Sequence, residues 1–508
     1  MSGLMADEPL LCGIDAGTSQ TRALLFTPSG RIVAHAAEPA TVWVPATGQA
    51  EIDAEGLWRT VVGLLRRVTA QVPAPQAIRG LAIASVGEAG VLLDEHGAAL
   101  GPMIAWYDTR TTEELEWLLD EVGFERLHRI TGLCPDPTFS LLKLLWLRRH
   151  RPEQLAAARS WLNVADFLAW RLSGERATDP SLASRTLLLD IERRVWSGQL
   201  LAATGLPARL LAPMLASGTR LGRILPEIAA ATGLPHDLAI GVGGHDHVCG
   251  MLAAGADRPG IPLDSIGTAE ALTFVRTVPT EEPGLGWDGF NQGILEVDRP
   301  LSYVFGGLPT AAGAVEWFRD LHGCDHARLI AEAAAEPPGC DGVLFLPHLR
   351  LGSPPFPDPV GRGAFLGLSA STRRGTLFRA VLEGVALDAG NMLRAMLRHL
   401  GEPPPERIVT IGGSTRNHLL MQMKASVYDV PLAVLDLPDA TCLGAALLGG
   451  IAAGLFSGMA EARAGLEVSM RLVEPLPDWE PERRLERQLD YAAAYATLRP
   501  VHARLLGH

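Results

Sequence analysis

Several things are missing from this 508-residue chain, and each absence removes a class of function. It has no run of like charges, and 44 Lys and Arg face 57 Asp and Glu, for a formal net charge of −13. A nucleic-acid surface needs clustered cations, so that class of partner is excluded. None of the six cysteines (Cys12, Cys134, Cys249, Cys324, Cys340, Cys442) forms a CxxC pair, and most lie in apolar surroundings. They read as reduced core residues of a cytoplasmic protein, not as disulfides or zinc ligands. Asp7 and Glu8 stand ahead of the first apolar strand, which argues against a signal peptide. Long apolar runs are also scarce. Thr441 to Ala460 is free of charge over the length of a membrane span, but Gly444, Gly449, Gly450 and Gly454 dilute it, and it follows a strand and a Pro-Asp turn. A buried, closely packed helix of an α/β domain is the better reading, with no membrane partner.

What is present is the composition of a globular enzyme, 47% hydrophobic and 20% charged, in a chain too long for a single core. It also contains a repeat. Gly13-Ile14-Asp15-Ala16-Gly17-Thr18 and, half a chain later, Asp264-Ser265-Ile266-Gly267-Thr268 each leave an apolar strand and turn on Gly-Thr. Each then re-enters a second strand, Arg22 to Phe26 or Ala271 to Phe274. Glycine lets backbone N–H groups approach an anion, and threonine adds a hydroxyl donor. Two such turns suggest a duplicated fold whose halves grip one polyphosphate from opposite sides.

The surrounding pattern agrees with duplication. Leu10 to Asp15, Arg22 to Thr27 and Arg31 to Ala36 read as a strand meander, with Pro28-Ser29-Gly30 as its second turn. Asp53 caps a helix with an apolar face of Leu57, Val61, Leu64, Leu65 and Val68, and Ile78 to Ala84 is the next strand. Helices follow at Thr112 to Val122, Ser140 to His150 and Trp161 to Leu172. The second half repeats the style, with strands Pro262 to Ile266 and Ala271 to Phe274 and helices Ala311 to Leu321 and Thr376 to Leu400. The strand Arg407 to Ile411 ends in Gly412-Gly413-Ser414, and a helix starts from Asn417. Glycines and Pro259 place a hinge near Gly250 to Gly260, dividing the chain into domains 1–255 and 256–508. A Pro-rich linker precedes an amphipathic C-terminal helix through Leu485, Leu489, Tyr491, Ala492, Tyr495 and Leu498.

Taken alone, the chemistry-bearing residues each allow two readings. Asp15 is either a turn-capping carboxylate or a ligand for hydrated Mg²⁺. Asp246 is either a helix N-cap ahead of Val248 to Leu252 or a general base, and His245 and His247 beside it lack a third metal ligand.

Six ordered motifs tip the balance, because together they resemble the FGGY carbohydrate kinases. They are Gly13 to Thr18 through Arg22, Trp106-Tyr107-Asp108-Thr109-Arg110, Gly243-Gly244-His245-Asp246 and Ile266-Gly267-Thr268. The others are the signature Gly363 to Leu368 with Ala380 to Gly384, and Ile411-Gly412-Gly413-Ser414 with Asn417. The signature departs from its pattern at Thr376, where His, Asp, Glu or Asn is preferred. The resemblance implies an α/β fold of two duplicated ribonuclease-H-like (actin-like ATPase) domains with a cleft between them. It implies ATP and Mg²⁺ as cofactors and a small sugar or polyol as substrate, and a homodimer is the family's habit. Asp246 would be the catalytic base. Thr18, Ser19, Arg22, Gly267, Thr268, Gly313, Gly412, Gly413, Ser414 and Asn417 would bind ATP, and Asp15 the metal. Arg373 and Arg374 read as solvated. An actin-like ATPase or a nucleotide-gated sugar-binding protein is the alternative outside transfer chemistry.

The substrate end matches no single subfamily. Ser85-Val86-Gly87-Glu88-Ala89-Gly90 stands where xylulose kinases resemble one another in Gln-Met-His-Gly and glycerol kinases carry Arg-Glu. Glu88 aligns with the polyol-binding Glu, but Gly87 replaces the Arg, and His247 follows the base in place of Asn or Gln. Glu88 would accept from vicinal hydroxyls of a neutral substrate, His247 would add a hydrogen bond, and Trp106 would supply a flat wall. The lost Arg and His imply a roomier pocket, suited to a ketopentose such as xylulose or ribulose, a tetritol or a glycerol-like polyol.

Overall fold

Residues 8–476 and 481–505 are described by the computed structural model. Asp7 and part of the Pro-rich linker lie outside the described residues. The strand Leu10–Ala16 (β1) is buried along its whole length. It pairs antiparallel with Gln20–Phe26 (β2), which pairs with Ile32–Pro39 (β3) across a turn where Gly30 takes φ +84. On its other side β1 runs parallel to Ile78–Ser85 (β4). Arg220–Arg223 (β5), Ala239–Gly241 (β6) and Gly244–His245 (β7) complete this sheet; β6 and β7 run parallel to β4, and β5 lies antiparallel outside β6.

A second seven-stranded sheet contains Leu263–Ile266 (β8), Glu270–Arg276 (β9), Asn291–Glu296 (β10), Pro300–Leu308 (β11), Ile408–Ile411 (β12), Leu432–Asp436 (β13) and Ser469–Val473 (β14). Its order is β10-β11-β9-β8-β12-β13-β14. The meander β8-β9-β11, the parallel pair β12 and β13 and the antiparallel edge β14 repeat β1-β2-β3, β4 and β6, and β5. The α/β duplication expected from the twin turns is therefore a duplication of strand order.

Helices clamp the sheets. Ala54–Thr69 (α1) is capped by Asp53, which accepts from Glu55 N at 3.1 Å, and buries Trp58, Val61, Leu64, Leu65 and Val68. Asp246–Ala254 (α2) ends at Gly255, φ +70, so the passage between sheets begins there and not at Gly250, which lies inside the helix. Arg374–Leu400 (α3) and His418–Tyr428 (α4) cover the second sheet. Thr376 fits the third position of α3, where its hydroxyl accepts from Arg373 N at 3.4 Å and donates to Glu336 at 3.1 Å. Arg374 is not simply solvated, because it pairs with Glu332.

The uncharged segment folds as Ala440–Ala452 (α5), which leaves the second half of the chain to pack on β1, β4 and α2 of the first. The approach is backbone on backbone. A Cβ at Gly13 would lie 1.9 Å from Cys442 O, one at Gly80 2.0 Å from Gly449 O, and one at Gly444 1.9 Å from Cys249 O. Among the described residues no helix is long and apolar enough to cross a membrane.

Two local expectations are corrected. Trp161 does not open a helix: Ser160–Asn163 pairs antiparallel with Gly90–Leu93, and the helix is Val164–Ser173. The indole of Trp161 lies against Gly90, where a Cβ would meet it at 2.6 Å, and that packing outweighs helix propensity. In the last helix, Pro481–Leu505 (α6), the buried stripe runs through Gln488, Tyr491, Tyr495 and His502, whereas Leu485 and Leu489 are exposed. Tyr491 and Tyr495 turn inward because their hydroxyls reach His348 at 3.0 Å and Asp358 at 2.8 Å.

Candidate active site

The first turn presents Thr18 and Ser19 to solvent while burying the carboxylate behind them. Asp15, near the end of β1, accepts from Arg22 Nη2 at 2.5 Å through Oδ2, and its buried Oδ1 has no partner among the described residues. Arg22 also pairs with Asp439, ahead of α5, so one guanidinium ties the two halves together. Burial pushes the Asp15 carboxyl up to about 6; Asp246 and Asp439 add to the rise and Arg22 opposes it. Trp106 donates from Nε1 to Thr18 Oγ1 at 2.9 Å. Its loop is anchored by Arg110, which grips Asp108 through Nε and Nη2 and reaches Glu51 at 2.7 Å. Asp108 and Arg110 of the Trp-x-Asp-x-Arg segment thus set the position of Trp106. A cavity of about 620 Å³ opens here, lined by Gly17, Thr18, Trp106, Tyr107 and the Gly56 and Gly63 face of α1.

Asp246 is the first residue of α2, and His245, not Asp246, occupies the capping position. The base candidate's side chain is about a quarter exposed (24%), and its Oδ1 accepts from His247 N at 2.6 Å. Gly243 is required by contact, since a Cβ there would lie 1.7 Å from Ile83 O. His245 is buried, and burial drives its pKa down to about 3, so a neutral ring stands 3.3 Å from Asp246 Oδ1. His247 is exposed and packs its ring at 5.6 Å from Phe305. Among the described residues no group of three or more His, Cys, Asp or Glu is arranged to hold a metal ion.

Glu88 sits in the left-handed region at φ +62, a costly backbone state for a residue with a side chain. It is held there by its carbonyl, which accepts from Lys143 Nζ at 2.7 Å and Ser140 Oγ at 3.1 Å. Its carboxylate accepts from Arg185 Nε at 2.6 Å. The space that Gly87 was expected to open is occupied at that position. A Cβ there would meet Arg185 Cγ at 3.0 Å and His245 Cδ2 at 3.1 Å, so the arginine stem fills the space. Arg185, His245 and His247 line a narrow crevice, closed from the other half by Thr273, Tyr303 and Phe305.

In the second half, Gly267 and Thr268 are exposed at the second turn. Thr268 O accepts from Gly313 N at 2.9 Å, which joins the turn to the helix Ala311–His322. Gly412, at φ +108, packs beneath it, where a Cβ would lie 2.3 Å from Ile266 O. Gly413 and Ser414 form a short 3-10 turn, and Asn417 caps α4 by accepting from Leu420 N at 3.1 Å. Beneath β8 and β9, fully buried Lys424 holds Asp264 at 2.9 Å and Glu270 at 2.5 Å, and Tyr428 donates to Asp264 at 3.0 Å. Burial and the Asp264 charge push the Glu270 carboxyl up. The structure thus joins Asp15, Thr18, Arg22 and Trp106 in one group, Glu88 and Asp246 with its flanking histidines in another, and Gly267, Thr268, Gly313 and Gly412 in a third. No hydrogen bond among the described residues links the two Gly-Thr turns. Sequence reasoning missed Arg185, Lys143 and Lys424; a lone lysine amid Leu141, Leu142, Leu144 and Leu145 was a legible signal for the second.

The chain matches the model for the N-terminal domain of the FGGY family of carbohydrate kinases over residues 10–253 and that for the C-terminal domain over 264–453. It is 31% identical to an L-fuculokinase of Escherichia coli, covering 94% of this chain and 99% of that protein. A glycerol kinase of Gloeobacter violaceus is 32% identical, with 95% of each chain covered. The solved structure of a xylulose kinase from Rhodospirillum rubrum is similar with a TM-score of 0.87 at 30% identity, over 97% of this chain and 99% of that one.

Proposed function

The chain belongs to the FGGY family of carbohydrate kinases, and from that premise we propose that it transfers the γ-phosphoryl group of ATP to a hydroxyl of a small neutral ketose or polyol, such as xylulose, ribulose, a tetritol or glycerol. The observation that carries this reading is the placement of Asp246. It is an accessible carboxylate at the head of α2, flanked by His245 and His247, which line one crevice with Arg185, the ion-pair partner of Glu88. As the acceptor oxygen forms its bond to phosphorus and the bond to the ADP oxygen breaks, Asp246 takes the hydroxyl proton.

Glu88 accepts from a substrate hydroxyl, His247 adds a polar contact at the exposed rim, and the Trp106 ring walls the carbon chain. Thr18, Ser19, Gly267 and Thr268 offer hydroxyl and backbone donors to the phosphates from the two halves. Gly313, Gly412, Gly413, Ser414 and Asn417 form the adenosine side, while Arg22 acts through Asp15 and Asp439. In this division residues 1–255 bind the substrate and residues 256–508 the nucleotide, in a cytoplasmic setting that supplies ATP. Asp15 fits Mg²⁺, since its buried Oδ1 is a hard oxygen without a partner among the described residues. When bound, the ion supplies charge neutralisation on the phosphate oxygens.

A neutral substrate is favoured because the positive charge of Arg185 is already answered by Glu88, leaving Asp15 and Asp246 to repel an added carboxylate. ADP release should be measured with D-xylulose, D-ribulose, L-fuculose, glycerol, erythritol and gluconate. Turnover on one or more neutral acceptors is expected, and turnover confined to gluconate would overturn the reading.

A further inference from the structure

The cavity of about 620 Å³ beside the first turn is larger than a small acceptor needs. It has room for roughly twenty waters at about 30 Å³ each. A pentulose has about ten non-hydrogen atoms, each taking no more room than one water, so about half of the space is left over. The inner end of the cavity lies at the reaction centre. Val86 N donates to Ala16 O at 3.3 Å, and both residues line the cavity. Ser85, just before Val86, pairs in register with His245 of β7, so Asp246 leaves the neighbouring strand beside this end. Thr18 and Trp106, joined by their hydrogen bond, line it too. From there it extends along α1, past Gly56 and Gly63.

The inner wall is apolar. Leu64, Ala89, Ala105 and Val164 are buried there, and the carboxylates on the lining are already paired, Glu38 with Arg67 and Asp53 with Arg59. Both pairs reach solvent at the rim. Arg66, the one charge on the lining without a partner among the described residues, is exposed. Gly63 adds a separate observation. A glycine in a helix interior weakens the helix, yet a Cβ here would meet nothing within 4 Å, so no neighbour requires its absence. What the missing side chain leaves is open space on the cavity side of α1.

We propose that the cavity takes an apolar substituent carried by the acceptor, so that alkyl or aryl ethers and glycosides of the polyol or ketose are phosphorylated in preference to the bare compounds. The proposal rests on the kinase reading above and extends its substrate class. The hydroxylated end of the acceptor stays at Glu88 and Asp246, and the substituent passes Trp106 into the cavity. There it replaces water against Leu64, Ala89, Ala105 and Val164, which is favourable for an apolar group. A charged substituent meets no counter-charge on that inner wall.

The test measures ADP release by the full-length protein on its best neutral acceptor and on the methyl, butyl, hexyl and benzyl ethers of that compound. The ether is placed at the hydroxyl farthest from the one phosphorylated. In wild type, kcat/KM should rise by about three- to fourfold per methylene from methyl to hexyl, chiefly through KM. Gly63→Leu and Ala40→Leu fill the cavity from α1 and from the segment after β3. Both should flatten the series, with kcat/KM for the bare acceptor within about twofold of wild type. Thermal unfolding shows which variants are folded, and the wild-type series decides alone if neither is. A level or falling series in wild type, or an unchanged rise in a folded variant, overturns the assignment of the cavity. Absence of turnover by wild type on every neutral acceptor, bare or substituted, overturns the kinase reading instead.

Discussion

Replacing Gly444 with alanine should damage both stability and turnover, and the size of the effect follows from the crossing of α5 over α2. The new methyl carbon would lie 1.9 Å from Cys249 O and 2.5 Å from its carbonyl carbon, and both contacts are backbone, which no rotamer change relieves. To restore van der Waals separation the helices must part by about 1.5 Å at the crossing. Overpacking of this kind costs about 1–3 kcal/mol, and the upper end applies because neither element can yield alone. For a chain of this size that lowers the melting temperature by roughly 1–3 °C. Because α2 begins with Asp246, a displacement on the order of 1 Å there should also cut kcat by about tenfold or more. Gly63→Ala is the control. It makes the same chemical change in α1, where a Cβ meets nothing within 4 Å, and should stabilise by about 0.5–1 kcal/mol. Thermal unfolding and steady-state kinetics on both variants decide the matter. If Gly444→Ala melts and turns over like wild type, the close helix crossing is wrong.

Two further predictions concern buried cations. Burial pushes the Lys143 ammonium down to about 7 from its ordinary 10.5, with Glu88 opposing, so between these values the unfolded chain holds a proton that the folded one has shed. Stability contributed by this group therefore rises with pH across that window. Lys143→Met should gain melting temperature over wild type near pH 6 and lose the advantage by pH 10; a gap independent of pH would contradict it. Lys424→Met leaves Asp264 and Glu270 buried without their cation and should cost about 3–5 kcal/mol. Adding Glu270→Gln should recover part of that loss in chemical denaturation, and an additive double variant would show that the three groups do not act together.

The turns, the strand meanders and the Gly-Gly-His-Asp segment could be read from sequence because their causes are local. Gly17 and Gly267 mark chain reversals, and an apolar run names a buried strand whatever it packs against. The seams could not be read so far. Glu88 and Arg185 lie 97 residues apart, and nothing near Ser184 or Thr186 announces a guanidinium bound for the Gly87 backbone. Reading Gly87 as lost bulk was reasonable from the neighbouring residues alone; the volume is refilled by a residue from elsewhere in the chain. The segment of α5 reads from sequence as a buried, closely packed helix, but the partners Gly13 and Gly80 of its backbone become visible only once the helix of one half lies on the sheet of the other. Leu485 and Leu489 matched a helical stripe, yet the hydroxyl partners of Tyr491 and Tyr495 decided which face turns inward.

The central claim is that Asp246 removes the acceptor proton during transfer, and Asp246→Asn tests it most directly, since the amide keeps the shape at the head of α2 and removes the basic oxygen. Measured on the best neutral acceptor, kcat should fall by about 10²–10⁴-fold while the dissociation constant for ATP stays within about twofold of wild type. Near-normal kcat in a folded Asp246→Asn protein would contradict the account.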